Sequence, residues 1–64
     1  SAGEGYSRQR VLKSGPEELG GIIVTLTDQM MQASGELKFE LAGKLRDEVR
    51  ELKKELREMT QAKA

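Results

Sequence analysis

The most constraining feature is an apolar seam in the C-terminal third. Ala42, Leu45, Val49, Leu52, Leu56 and Met59 recur at spacings of 3, 4, 3, 4 and 3. That is the a/d pattern of a helix that lays one narrow apolar stripe against another helix. Between the seam positions stand strong helix formers, Lys44, Arg46, Glu48, Arg50, Glu51, Lys53, Lys54, Glu55, Arg57 and Glu58. Glu40 and Lys44 add a favourable i,i+4 pair. The seam predicts a helix over 38–60, and it demands an apolar partner.

The partner is found upstream. Leu19, Ile22, Ile23, Leu26, Met30 and Ala33 fall on one face of a second helix, predicted over 16–34. Local preferences oppose it in part. Gly20 and Gly21 each disfavour helix, and Ile22–Thr25 is β-branched. A strand there would have no neighbour to satisfy its backbone, so helix is the consistent choice. Ser14, Gly15, Pro16 and Glu17 read as a helix start, with Ser14 and Glu17 at capping-box spacing and Pro16 in the first turn. Ser34-Gly35 reads as the stop, with Gly35 the residue expected to turn left-handed. The expected fold is therefore all-α, an antiparallel helix-loop-helix hairpin over residues 14–60. Residues 1–13 are Gly- and Ser-rich and read as a linker, and 61–64 as a tail. The chain starts at Ser1 rather than Met, as an excised piece of a longer protein would.

Composition removes several function classes. There is no Cys and no His, which excludes disulfides, thiolate metal sites and imidazole chemistry. The carboxylates lie beside basic neighbours on wet helix faces, so no group is set up for acid–base catalysis. Asp28 with Glu36 or Glu40 matches no ligand loop for a cation. No catalytic residue, cofactor site or metal site is expected. The longest apolar run, Ile22-Ile23-Val24, is far too short for a membrane span, and no signal peptide is recognisable, so a cytoplasmic location is expected. Charged residues make up 34% of the chain, yet the formal net charge is zero. This balance argues against a dedicated nucleic-acid surface. Only Tyr6 and Phe39 are aromatic, too few for a base-stacking platform.

The run Leu37-Lys38-Phe39-Glu40-Leu41-Ala42-Gly43-Lys44-Leu45-Arg46-Asp47-Glu48-Val49 resembles the UVR motif: Leu, any residue, Phe-Glu, small positions, then an apolar residue with Arg-Asp. Asp28–Ala33 is similar to the motif's first helix, and Glu51–Arg57 continues the match. Leu41 stands where an acid is common and Gly43 where Ala is common. Neither removes the motif. The resemblance implies a protein–protein docking module of nucleotide excision repair, without catalytic machinery. The implied partner is a homologous UVR hairpin of the nuclease subunit UvrC, with self-pairing into a homodimer. DNA is contacted only through a parent protein, and no membrane is involved. A motif preceded by a linker and followed by a short tail favours the C-terminal hairpin of an excision-repair subunit. A UVR domain of a stress-response protein acting with the ClpC chaperone is the alternative within the family.

By the same resemblance, the partner-binding residues are Phe39, Glu40, Ala42, Leu45, Arg46, Asp47 and Val49. Phe39 is the expected anchor, with stapling of its own hairpin as the competing role. Arg46 and Asp47 serve either a partner or only each other. Leu45, Val49 and Leu52 serve the seam before recognition. Met30 and Met31 are adjacent and must face different directions, so one is left for a soft contact. Because the second helix is longer, Leu52, Leu56 and Met59 are expected to lack cover within the chain. Two other roles are consistent with the residues. One is a nucleic-acid arm through Arg8, Arg10 and Lys13 on a dimerising hairpin, and the other is a plain coiled-coil spacer.

Overall fold

The computed structural model describes residues 15–61. The linker, the basic arm of Arg8, Arg10 and Lys13, Ser14 and residues 62–64 lie outside the described residues. Two helices, α1 (Pro16–Gly35) and α2 (Phe39–Gln61), are joined by a three-residue corner and pack against each other. The fold is the all-α hairpin that the two seams require.

Pro16 occupies the first helical position of α1, and the carbonyl of Gly15 accepts the first helical bond from the Leu19 N–H at 3.0 Å. The N-cap is thus Gly15, one residue later than a Ser14–Glu17 capping box needs. Pro16 explains the shift, because its fixed φ and missing N–H suit the first helical position. The β-branched stretch is helical, as the lack of a partner strand dictates. Thr25 and Thr27 donate their hydroxyls back to the carbonyls of Gly21 and Ile23, at 3.1 and 2.7 Å. Their polar groups are therefore satisfied inside the helix.

Leu19, Ile23, Leu26 and Ala33 of α1 bury against Leu45, Val49 and Leu52 of α2. Ile22, Met30, Leu41, Ala42, Leu56 and Met59 pack around that centre, half-buried. One expectation is overturned. Leu52 is buried, not overhanging, and Leu56 and Met59 are half-covered. The helices have 20 and 23 residues, so at about 1.5 Å per residue α2 outruns α1 by only about 5 Å. The core is closed within one chain.

Gly20 and Gly21 sit mid-helix with open space where a Cβ would be. Neither is required by packing. Gly20→Ala and Gly21→Ala are each expected to raise unfolding free energy by about 1 kcal/mol, as a shift in urea midpoint at constant m-value. A loss of stability in either would mean that a neighbour fills that space.

Candidate functional site

The corner between the helices is where the chain departs from ordinary local preference. Glu36 follows the last residue of α1, and its N–H bonds to the Gln32 carbonyl at 3.0 Å. The Leu37 N–H then bonds to the Ser34 carbonyl at 3.0 Å, and the Lys38 N–H to the Ala33 carbonyl at 2.8 Å. This is the Schellman pattern of helix closure. Its left-handed residue is Leu37, at φ 62°, and not Gly35, which stays helical. The stop therefore comes two residues later than Gly35 suggested. A leucine in that conformation crowds its Cβ against the backbone, at a cost of about 1–2 kcal/mol. Leu37→Gly is accordingly expected to raise the thermal midpoint by several degrees, corresponding to about 1 kcal/mol. A lower midpoint in a melting curve would show that the leucine side chain holds the corner together.

Polar side chains brace this turn. The Gln32 amide donates to one carboxylate oxygen of Glu36 at 3.1 Å, and the Lys38 ammonium reaches the other at 3.0 Å. The Gln32 hydrogen bond, and then Lys38, hold the Glu36 carboxyl below its usual pKa. A lowered folded-state pKa means that the brace stabilises the fold above the ordinary carboxylate range. The contribution is lost as pH falls through the folded value.

On this scaffold Leu37 and Phe39 point outward, 73% and 66% exposed, the largest exposures among the big apolar side chains described. Phe39 does not staple its own hairpin. Beside it an open groove of about 350 Å³ runs between the helices, lined by Met30, Met31, Ser34, Phe39, Ala42, Gly43 and Arg46. Met30 packs towards the core while Met31 stays exposed, as adjacent helical positions require. Glu40, Arg46 and Asp47 are exposed. Arg46 and Asp47 lie 3.5 Å apart, an exposed pair of small energetic weight. Ala42 is half-buried, and Leu45 and Val49 belong to the core. The seven residues named from the motif thus divide into an outer set of four and an inner set of three that shapes the corner from behind.

No local preference of the neighbouring residues signals Leu37's role. Its conformation depends on where the helix closes, and Gly35 is the better left-handed residue on intrinsic grounds. Its place as the motif's leading Leu was the available signal. Among the described residues no cluster of acidic side chains could hold a metal ion, and no helix is long and apolar enough to cross a membrane.

A short closed-core hairpin with two large apolar side chains at its corner, braced in place, belongs to the class of small helical docking modules. The family is then given by comparison: the model for the "UvrB/uvrC motif", UVR, matches residues 21–55, and the chain belongs to this family. Curated relatives carry the name UvrABC system protein B. That of Beutenbergia cavernae is 48% identical over 64 residues, covering 100% of this chain and 9% of that protein. Those of an Arthrobacter species and of Clavibacter michiganensis are 57% and 56% identical over 63 and 55 residues, covering 94% and 86% of this chain. The chain spans under a tenth of the length of these relatives. No solved structure matches it.

Proposed function

We propose that this hairpin is the interaction module of a UvrB-type subunit of cytoplasmic nucleotide excision repair, docking onto the homologous UVR hairpin of UvrC. The observation that carries the reading is the pair Leu37 and Phe39, held in solvent by a corner that pays conformational strain to present them. Neither side chain is needed to fill the core, which is closed without them. Glu40, Arg46 and Asp47 ring the apolar pair with charge and give it orientation, as the polar rim of an interface does. Ala42, Leu45 and Val49 fix the angle at which α2 leaves the corner. A second copy offers the same apolar pair, so the module also self-pairs.

Sedimentation velocity on the 64-residue chain, alone and mixed with a UvrC UVR hairpin, tests the reading. Self-association alone and a mixed species on addition of the partner are expected. A chain that sediments as a folded monomer in both samples, at concentrations up to about 1 mM where even weak docking is populated, would refute it.

A further inference from the structure

The zero net charge of this chain conceals a division of charge around α2. Arg46, Arg50, Lys53 and Arg57 follow one another at i, i+4, i+7 and i+11, one stripe of the helix, with Lys54 at its edge. The carboxylates of α2 after the corner, Asp47, Glu48, Glu51, Glu55 and Glu58, keep to other positions. On the stripe, like charges are neighbours. Arg46 and Arg50, Arg50 and Lys54, and Lys53 and Arg57 are i,i+4 pairs, and Arg50 and Lys53 and Lys54 and Arg57 are i,i+3 pairs. Each such pair destabilises a helix slightly. Lys53 and Arg57 have no acid at any position three or four residues away. Lys38 pairs with Glu36 and Arg46 with Asp47, while Arg50 has Asp47, and Lys54 has Glu51 and Glu58, three or four residues away.

Arg50, Lys53, Lys54 and Arg57 line an open groove of about 580 Å³ along distal α2, in which Glu51 is the one acid among the described lining residues. Helix α1 brings no lysine or arginine to the hairpin. Its flank beside the corner groove, where Met31 and Ser34 meet Phe39 and Arg46, continues one, two and three turns back through Thr27, Val24 and Gly20, all uncharged. The face shared by this flank and the basic stripe therefore carries more cations than acids, with Glu51 as the acid among the described lining residues of its groove, although the whole chain is neutral.

We propose that this face binds the phosphate backbone of a nucleic-acid strand, through Arg50, Lys53, Lys54 and Arg57. The cations extend over about 11 Å of helix at 1.5 Å per residue, a span matched by a few consecutive phosphates of one strand. A polyanion with a charge at every repeat relieves the four like-charge contacts among these residues at once. An acidic protein surface must supply carboxylates at matching places, whereas a nucleic-acid strand carries a charge at every repeat of its backbone. The contacts are to phosphate, so binding is independent of base sequence. The surface is separate from the corner, and a strand lying on it leaves Leu37 and Phe39 open.

The test is fluorescence anisotropy of the 64-residue chain with a labelled oligothymidylate of about 20 nucleotides, between about 50 and about 200 mM salt. Four phosphate contacts give a log–log salt slope on the order of −3, a loss of roughly fiftyfold across that range. The double variant Lys53→Gln/Arg57→Gln should bind at least about tenfold more weakly and lose about half the slope. Its helical circular dichroism should be kept, with a midpoint equal to or above the parent's, because repulsion is relieved. Lys44→Gln, on the acidic side of α2, should bind as the parent does. Absence of binding at the lowest salt overturns the proposal. So does equal binding by the double variant, or loss of binding in Arg8→Gln/Arg10→Gln with the α2 variant unaffected. Polyglutamate binding as tightly as the oligonucleotide would reassign the face to an acidic protein partner, and also overturns it.

Discussion

Phe39→Ala should leave the hairpin folded and weaken its docking to a UvrC UVR hairpin by about thirtyfold or more. The two halves of that expectation have different origins. The fold is spared because Phe39 is two-thirds exposed and takes no part in the core. Docking suffers because a large aromatic side chain that leaves water on binding is worth about 2 kcal/mol or more at an interface, and each 1.4 kcal/mol is a tenfold change in affinity. Titration calorimetry gives the affinity, and circular dichroism of the same samples gives the helix content. Unchanged affinity would return the hairpin to a coiled-coil spacer, for which the corner is only a connection. Loss of helix together with affinity would place Phe39 in the core.

Leu26→Ala should produce the opposite pattern, with the hairpin itself collapsing. Leu26 is fully buried in the middle of α1, between Ile23 and Ala33 on one side of the seam and the Leu45, Val49 and Leu52 row on the other. Removing three carbons there costs the lost transfer energy and leaves a cavity, together about 2–5 kcal/mol. A domain of this size holds only a few kcal/mol of stability in total, at roughly 0.05–0.15 kcal/mol per residue. Most helical signal should be gone at 25 °C, and partner binding with it. Val24→Ala, two residues away on the exposed side, should change the melting midpoint by no more than a degree or two, because Val24 is 60% exposed. Equal midpoints for the two variants in thermal melts would mean that Leu26 is not at the centre of the fold. Read with Phe39→Ala, the pair separates what builds the hairpin from what the hairpin presents.

Much of this architecture was legible in the order of residues. A spacing of 3 and 4 that persists from Ala42 to Met59 is compatible with one backbone geometry only. A second stripe from Leu19 to Ala33 then leaves a pair of packed helices as the economical way to bury both. Met30 and Met31 were also decidable, since adjacent helical residues cannot both face one seam. Less local features were not. The register of α1 against α2 follows from how the corner closes, and that placed Leu52 inside rather than beyond the end of its partner. Closure at Leu37 instead of Gly35 is set by the Ser34 and Ala33 carbonyls finding their donors in the tertiary corner. Intrinsic preference alone ranks those two residues the other way.

The sequence by itself determined that this protein is two amphipathic helices, that Phe39-Glu40 and Arg46-Asp47 form a UVR motif, and that neither thiol nor imidazole chemistry is open to it. These follow from periodicity and composition, which are properties of the covalent chain. Tertiary structure alone decided which apolar side chains remain in water. It also decided that Met30, Met31 and Ser34 of α1 share one groove with Phe39, Ala42, Gly43 and Arg46 of α2. Both depend on the relative rotation of two helices about their own axes, which is fixed by how the side chains of Leu19, Leu26, Leu45 and Leu52 fill one shared interior.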